Sequence, residues 1–416
     1  LKNASKCYLR GPMSHSLSNE QLIAAANSFG TPLYVYDAAN IEAQYSALTT
    51  AFAGQPVKFF YASKALTNIN ILKLMLNMGC AVDCSSINEA HLAIKAGHAP
   101  KNILYTSNGI HFSEIETAVS LGIHVNIDSL SNLEKFGKKY GSSYPVGIRL
   151  RPNIMAGGNL KISTGHDKSK FGVPLEQLDE LLAIIDTYQI NIAGLHIHTG
   201  SEIKDVSVFM KVTDVFFDLV PKFPQLQFLD LGGGFKVPYK AGDPSTNINE
   251  LATEIQKFQE KLQSTYARSF ELWFEPGKYM VSKAGYFITE VNVIKQTPSI
   301  TFAGVNSGFN HLIRPMLYEA YHEIKNVSNP DGPLVTYDIV GNICETDTFA
   351  SDRQIPTISE GDLLVFENAG AYGFEMASNF NSRYKPAEVM IIKGEAKLIR
   401  QRDTFEDLTR NQIEVL

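Results

Sequence analysis

The alternation of short apolar strands with amphipathic helices constrains this chain more than any other feature. Helical patterns at 87–96, 175–188, 206–220 and 248–262 separate segments that are rich in branched and aromatic residues. The predicted strands are 57–62, 80–84, 103–106, 124–127, 146–151, 192–198, 228–231 and 272–275. Eight such units over about 250 residues match an α/β fold of the (β/α)8 TIM-barrel type. We therefore predict that barrel over residues 31–280.

An open, doubly wound sheet is the alternative arrangement of the same units. Sheets of that kind that bind dinucleotides carry Gly-x-Gly-x-x-Gly after an early strand. This chain has no such turn there, so the closed barrel is the preferred prediction.

The pattern changes after Tyr279, where helical spacing nearly vanishes. Short β-rich segments with turn residues between them lie at 286–294, 301–305, 334–340, 363–366, 389–392 and 396–399. We predict a C-terminal all-β domain, a barrel or a sandwich, over residues 281–416. Residues 1–30 are expected to pack with it, and residues 34–36 are candidates for an added strand.

Composition excludes several classes of partner. The formal charge of -6 over 416 residues, without a basic block, argues against nucleic acid. No apolar stretch is long enough to cross a bilayer, and the N-terminus lacks a signal-peptide pattern, so we expect no membrane partner. Four scattered cysteines are typical of the reducing cytoplasm. Cys80 and Cys84 are predicted to be buried thiols rather than a metal site, because no second Cys/His pair completes one.

Lys64 follows the first predicted barrel strand and precedes a predicted helix at 68–76. The carboxyl ends of barrel strands carry the chemistry of this fold. A desolvated lysine there can lose its proton and attack a carbonyl carbon as a Schiff-base nucleophile. The alternative for any single lysine is a solvated surface position.

Three loops at the same end of the barrel carry further polar groups. Residues 198–201 follow the sixth strand, the glycines 232–234 follow the seventh, and residues 275–279 follow the eighth. Glycines let backbone N–H groups approach an anion closely, and the loops after strands seven and eight often bind phosphate. A lone triple glycine is more often a flexible turn, but this location favours phosphate. Ser201 adds a hydroxyl donor.

A Schiff-base lysine, a phosphate site, an imidazole and a carboxylate together suggest pyridoxal 5′-phosphate. Glu275 is the candidate partner for the ring nitrogen of that cofactor, and His198 is the candidate to lie against the ring. The alternative for His198 is a hydrogen-bonded core histidine, since His196 points along the same face of the strand.

Five ordered motifs carry a resemblance to a known family: residues 61–64, 198–201, 232–235, 275–278 and 344–346. Over about residues 31–393 the chain resembles the group IV, alanine-racemase-fold, PLP-dependent decarboxylases. Within that group it is most similar to the diaminopimelate decarboxylases. The group has the same combination of barrel and β-domain.

The resemblance implies roles for individual residues. The implied catalytic residues are Lys64, Cys344 and His198, with Cys344 returning a proton to the α-carbon. The implied cofactor-binding residues are Lys64, Asp83, Arg149, His198, Ser201, Gly233, Gly234, Glu275, Pro276, Gly277, Lys278 and Tyr372. The family usually has arginine where this chain has Lys278, which keeps the charge but loses the bidentate fork. No metal is implied.

The substrate that the resemblance implies is meso-2,6-diaminopimelate, which would yield L-lysine and carbon dioxide in the last step of lysine biosynthesis. Its second amino-acid head needs a cation for the carboxylate and an anion for the ammonium. Arg314 with Tyr318 suits the former, and Glu345 suits the latter. The implied substrate-binding residues are Lys278, Arg314, Tyr318, Glu345 and Tyr372. The resemblance also implies a homodimer in which Cys344 and Glu345 serve the partner's active site.

Three alternatives remain open from the sequence. A catalytically inactive regulatory homologue would lack the lysine or the cysteine, and a PLP carrier would lack the β-domain. A related decarboxylase acting on carboxynorspermidine, arginine or ornithine would have no need for a cation at position 314.

Overall fold

The computed structural model describes residues 16–154 and 169–416. That part of the chain begins with helix α1 (Asn19–Phe29) and strand β1 (Leu33–Asp37). Cys7 lies outside the described residues. Among the described residues, we find no helix with the length and apolar character needed to cross a membrane.

Eight parallel strands close into a barrel. They are β2 (Val57–Ala62), β3 (Ala81–Cys84), β4 (Ile103–Thr106), β5 (His124–Ile127), β6 (Val146–Arg151), β8 (Ile192–His196), β9 (Phe228–Asp230) and β10 (Glu271–Phe274). The two-residue strand β7 (Val173–Pro174) is additional and pairs with β6. Their order around the barrel is β5-β4-β3-β2-β10-β9-β8-β6, and β5 pairs with β6 to close it. The predicted TIM barrel is confirmed, and the open-sheet alternative is excluded because the edge strands pair.

Helices surround the barrel because each presents an apolar stripe to it. They are α2 (Ala38–Ala51), α3 (Ile69–Asn77), α4 (Ile87–Ala96), α5 (Phe112–Ser120), α6 (Leu130–Tyr140), α7 (Leu178–Tyr188), α8 (Ser207–Leu219) and α9 (Ile248–Tyr266). Helix α9 shows the pattern, since it buries Leu251, Ile255, Phe258 and Leu262 at helical spacing. Its amino end is capped by Asn247, whose side chain accepts from the N–H of Glu250.

Residues 278–416, together with β1, form a second sheet with three short α-helices. The strands are β11 (Gly285–Gln296), β12 (Thr301–Val305), β13 (Ile324–Asn326), β14 (Leu334–Val340), β15 (Thr348–Pro356), β16 (Leu363–Phe366), β17 (Ala387–Ile392) and β18 (Glu395–Arg400), and the helices are α10 (Lys278–Val281), α11 (Arg314–Tyr318) and α12 (Phe405–Thr409). The main order is β15-β14-β12-β11-β1-β17-β18, with β16 on β11 and β13 on β16. The predicted all-β domain is confirmed. The sequence did not predict β13, which is very short, or β15, which contains consecutive polar residues.

Strand β1 joins the second sheet rather than the barrel. It pairs antiparallel with β11 and parallel with β17, which confirms the strand expected at residues 34–36. Helix α1 covers this sheet by burying Leu22, Ala25 and Ala26 against it. The domain bounds at 31–280 and 281–416 stay a prediction. Strand β1 lies inside the range given to the barrel but pairs with strands of the β-domain.

The β-domain stabilises the segment that follows Lys64. The Thr67 N–H donates to Glu375 Oε1 at 2.7 Å, and Asn68 Nδ2 donates to Glu388 Oε2 at 3.1 Å. Glu388 is fully buried in β17. The position of the lysine at the barrel mouth therefore depends on both parts of the fold.

Candidate active site

Lys64 lies just past the carboxyl end of β2, beside an acidic neighbour. Strand register pairs Ala62 with Asp83 of β3, which brings Asp83 Oδ2 to 3.6 Å from Lys64 Nζ. The carboxylate is buried, whereas the lysine side chain is 41% exposed and lines a cavity. The predicted nucleophile therefore faces open space with a carboxylate behind it.

The charges around Lys64 stabilise its ammonium form, because they raise its pKa. Burial by itself would lower the pKa of the Lys64 ammonium, but the neighbouring acidic groups, Asp83 foremost, outweigh it and raise that pKa. Burial and the charge of Glu275 raise the pKa of Asp83 well above its ordinary value. The carboxyl of Asp83 and the ammonium of Lys64 therefore form one interacting pair behind the cavity.

A buried acid cluster lies at the ends of β8, β9 and β10. A ring nitrogen of His196 and one carboxylate oxygen each of Asp230 and Glu275 lie within 4.8 Å of one another. His196 Nε2 is 3.5 Å from Glu275 Oε2. Burial would raise the pKa of Glu275, yet His196 and Lys64 hold it well below its usual value, while burial and Glu275 raise the pKa of Asp230. Glu275 is therefore the ionised member, and its Oε1 has no hydrogen-bond partner among the described residues.

His198 is held against the glycine loop. The Gly233 N–H donates to His198 Nδ1 at 3.3 Å, and a Cβ on Gly232 would come within 2.6 Å of the same nitrogen. Burial, reinforced by the charges of Arg149 and Lys64, lowers the pKa of His198 well below its ordinary value. The imidazole is therefore neutral and can pack against a flat ring.

A small cavity of about 50 Å³ lies between the loops after β8, β9 and β10. Its walls include Ser201, Gly233, Gly234, Gly277 and Lys278. Lys278 Nζ lies 3.2 Å from Ser201 Oγ, so an ammonium and a hydroxyl face the same space. A glycine-lined cavity beside an ammonium and a hydroxyl suits a phosphate-sized anion.

The glycines at this cavity are required by close contacts. A Cβ on Gly233 would lie 2.1 Å from the Glu275 carbonyl oxygen, and one on Gly234 would lie 2.1 Å from that of Gly200. Gly234 also has a φ of +98°, which other residues rarely adopt.

We expect Gly234→Ala to weaken binding of a phosphate-bearing cofactor by roughly 10-fold or more, because the loop must move away from the anion. The measurement is a titration of the cofactor-free protein followed by absorbance. Gly361→Ala is the matched control, since Gly361 has a φ of +88° but open space where the Cβ would lie. Equal affinity in both variants would contradict the assignment of the phosphate site.

A larger cavity of about 610 Å³ adjoins the small one and shares Lys64, His198, Ser201, Lys278 and Tyr372 with it. Its far wall carries Arg314 and Tyr318 from α11. The size allows an aromatic cofactor and a small substrate to lie side by side.

Arg314 is a buried cation in the far wall, only 5% exposed. Its Nη1 donates to Tyr239 Oη at 3.0 Å and to the Ala371 carbonyl oxygen at 3.1 Å. Among residues 16–154 and 169–416, no carboxylate forms an ion pair with it, and its Nε lacks a hydrogen-bond partner. A buried charge without a counterion is costly, so this guanidinium favours an anionic ligand group.

Lys278 differs from Arg314 because its charge is already compensated. Its Nζ pairs with Glu202 Oε1, and Glu202 Oε2 also pairs with Lys236 Nζ at 2.8 Å. A lysine at this position therefore belongs to a three-residue ionic network at the cavity wall.

Three further predicted residues, two from the barrel and one from the β-domain, lie around the same mouth. Arg149 is buried on β6 with its guanidinium carbon 4.5 Å from the Phe171 ring centroid. The Pro276 carbonyl oxygen accepts from the Ala62 N–H at 3.2 Å, which ties the loop after β10 to the end of β2. Tyr372 has a φ of 56° and lines both cavities.

Cys344 and Glu345 do not join these residues within one chain. Both are exposed, and neither lines the two cavities. Asn381 Nδ2 lies 3.1 Å from Cys344 Sγ, so the cysteine packs against the segment before β17 instead.

Several residues of the larger cavity were not predicted from the sequence: Phe171, Glu202, Tyr239, Asp243, Ala320 and Tyr321. The only signal for Glu202 is its place directly after Ser201. Tyr239 follows the glycine loop by a few residues, but nothing in its local pattern indicates that it meets Arg314.

The site fits pyridoxal 5′-phosphate on structural grounds. An open lysine, an ionised Glu275 with an unpartnered oxygen, and a glycine-lined anion site match the aldehyde, ring nitrogen and phosphate of that cofactor. The family model described as "Pyridoxal-dependent decarboxylase, pyridoxal binding domain" matches residues 38–282. The chain is therefore a member of the PLP-dependent decarboxylases.

Full-length comparisons narrow the class. A diaminopimelate decarboxylase of Methanothermobacter thermautotrophicus is 37% identical over 94% of this chain and 93% of its own length. The structure of diaminopimelate decarboxylase from M. jannaschii superposes with a TM-score of 0.87 at 32% identity, covering 94% of each chain. That from Helicobacter pylori, complexed with L-lysine, gives 0.85 at 32% identity over 94% of this chain and 98% of its own. Within its class the chain belongs to the diaminopimelate decarboxylase family.

Proposed function

We propose that this chain removes one carboxylate of meso-2,6-diaminopimelate as carbon dioxide and releases L-lysine. The observation that carries the proposal is the buried Arg314 guanidinium, which lines the cavity of Lys64 without a carboxylate partner among the described residues. The relatives' names and the L-lysine in the Helicobacter pylori complex support the same substrate.

The residues at the barrel mouth have different roles at the end of the substrate that loses carbon dioxide. When bound, pyridoxal 5′-phosphate supplies an electron sink for the broken carbon–carbon bond. Lys64 would hold the cofactor through its amine, and the ionised Glu275 would pair with the ring nitrogen. Neutral His198 would pack on the ring, while Ser201 and Gly234 would hold the phosphate.

The cofactor's position is supported by neighbouring residues. Asp83 would pair with the amine of Lys64. Arg149, which lies on β6, compensates the buried carboxylates of Glu275, Asp128 and Asp83. Gly233, Pro276, Gly277 and Lys278 shape the phosphate loops, and Tyr372 closes the site from the β-domain.

Arg314 and Tyr318 recognise the non-reacting head. A carboxylate on that head satisfies the buried guanidinium through charge-assisted hydrogen bonds. Ornithine and arginine carry a cation at this end, which Arg314 repels. Carboxynorspermidine is disfavoured for the same reason.

The test compares kcat/KM for carbon dioxide release from meso-diaminopimelate, lysine, ornithine, arginine and carboxynorspermidine. We expect meso-diaminopimelate to be preferred by at least roughly 100-fold, because the alternatives leave Arg314 without a counterion. A higher value for any of the others would overturn the proposal.

We further propose a homodimer that shares its active sites. Cys344 and Glu345 are exposed on the surface of the β-domain, and Phe380 and Tyr384 beside them are 44% and 40% exposed. Exposed aromatic side chains next to a functional loop are typical of an interface. In a two-fold dimer each chain then gives Cys344 as proton donor, and Glu345 as partner for the distal ammonium, to the other.

Subunit mixing tests this arrangement. Lys64→Ala and Cys344→Ala should each be nearly inactive, and random exchange makes about half of the dimers mixed. One site of each mixed dimer then carries both substitutions and the other carries neither, so roughly a quarter of the unaltered activity should return. No recovery after exchange is demonstrated by mass spectrometry would place Cys344 in its own chain's site.

We also propose the cytoplasm as the compartment. Cys80 and Cys84 are buried free thiols, as predicted, and Cys344 is an exposed free thiol. A cysteine that works as a proton donor must stay reduced, which a reducing compartment ensures.

A further inference from the structure

Tyr239 lies beneath two cations in the wall of the larger cavity. The guanidinium carbon of Arg314 is 5.1 Å from the centroid of its ring, and Lys278 Nζ is 6.0 Å from it. The three residues come from the loop after β9, the start of α10 and the start of α11. The electron-rich face of one ring therefore joins three separate segments at the cavity.

The hydroxyl of Tyr239 fixes the direction of the arginine. It accepts from Arg314 Nη1 at 3.0 Å and lies 3.3 Å from the buried Ser282 Oγ, to which it can donate. The Ala371 carbonyl oxygen accepts from the same Nη1 at 3.1 Å. With Nη1 held from two sides, the guanidinium plane is set before a ligand arrives.

The two cations above the ring differ in what they still need. Glu202 compensates Lys278, whereas Arg314 has no carboxylate partner in the described part of the chain, and its buried Nε has no acceptor there. Tyr239 itself is only 9% exposed, so its hydroxyl is shielded from water. Loss of that hydroxyl would leave Arg314 Nη1 held by the Ala371 carbonyl oxygen alone, without removing the charge.

We propose that Tyr239 is a positioning residue that sets the preference for ligands with a carboxylate on the non-reacting head. It acts through Arg314, by holding the guanidinium in the orientation that meets that carboxylate. The inference rests on the proposed function, and it adds a residue that determines how strongly the second carboxylate is recognised.

Binding of L-lysine and of 1,5-diaminopentane separates this role from a structural one. The two molecules differ only in the carboxylate, and each is titrated against the cofactor-loaded protein by absorbance. We expect Tyr239→Phe to weaken L-lysine binding on the order of 10-fold and to leave 1,5-diaminopentane unchanged, because only the former meets Arg314. The KM for meso-diaminopimelate should rise with little change in kcat.

Two further variants show whether the effect is specific to Tyr239 and depends on Arg314. Tyr266→Phe is the matched control, since it also loses one hydroxyl, which donates to the Phe217 carbonyl oxygen away from the cavity. In an Arg314→Ala background, Tyr239→Phe should have no additional effect on the ratio of the two affinities. An equal change for both ligands, or none for either, would overturn the role of Tyr239.

The outcomes also distinguish this inference from the proposed function. If the unaltered protein releases no carbon dioxide from meso-diaminopimelate and binds both ligands equally, the proposed function itself fails. If it prefers L-lysine and Tyr239→Phe keeps that preference intact, only the positioning role fails.

Discussion

Replacing Lys64 with alanine should remove nearly all decarboxylase activity while the protein stays folded. The substitution deletes the amine that faces the cavity next to Asp83, and no other described lysine lines the cavities except Lys278, which Glu202 engages. We expect kcat to fall by roughly 1000-fold or more, equivalent to about 4 kcal/mol of barrier. Steady-state assays with saturating cofactor measure the effect.

Chemical trapping identifies the lysine independently of turnover. Borohydride reduction of the loaded protein should leave the cofactor on the peptide that contains Lys64, as mass spectrometry would show. Lys73→Ala, an exposed lysine of α3, is the matched control and should keep both activity and the adduct. A reduced adduct on any other lysine would refute the assignment.

Arg314→Ala should have the second largest effect, and it should be confined to substrate recognition. Loss of a charge-assisted, bidentate contact costs about 2–4 kcal/mol, or roughly 30- to 1000-fold in kcat/KM for meso-diaminopimelate. The absorbance of the bound cofactor should stay normal, since Arg314 lies in the wall away from the small cavity.

Two comparisons make the Arg314 result specific. Arg410→Ala removes an exposed guanidinium that pairs with Asp407 at 3.1 Å, and it should change nothing. Arg314→Lys keeps the charge without the fork and should fall between the unaltered protein and the alanine variant. Unchanged turnover of meso-diaminopimelate by Arg314→Ala would mean that the arginine is structural.

The barrel could be predicted from the sequence because its strands are short buried runs that alternate with amphipathic helices. Strand β1 could be suggested only as a candidate, since its place depends on pairing with β11 and β17, which lie some 250 to 350 residues later. Strand β15 was missed because exposed polar residues such as Ser351 and Asp352 obscure its pattern.

The site could be predicted where each residue ends a strand. Lys64, His198 and Glu275 belong to that group, because the barrel brings all carboxyl ends of its strands to one mouth. Tyr239 and Glu202 could not be found in this way. Tyr239 contacts Arg314, 75 residues away in sequence, and Glu202 contacts Lys278, 76 residues away. The local sequence pattern does not indicate such long-range contacts.

The stoichiometry of products from meso-diaminopimelate shows which carboxylate-bearing substrate this active site accepts. The purified protein, loaded with pyridoxal 5′-phosphate, is incubated with meso-diaminopimelate while carbon dioxide, L-lysine and 1,5-diaminopentane are quantified together. We expect one L-lysine for each carbon dioxide and no accumulation of 1,5-diaminopentane, because only a substrate with a carboxylate for Arg314 is accepted. Absence of L-lysine, or formation of 1,5-diaminopentane at a comparable rate, would contradict it.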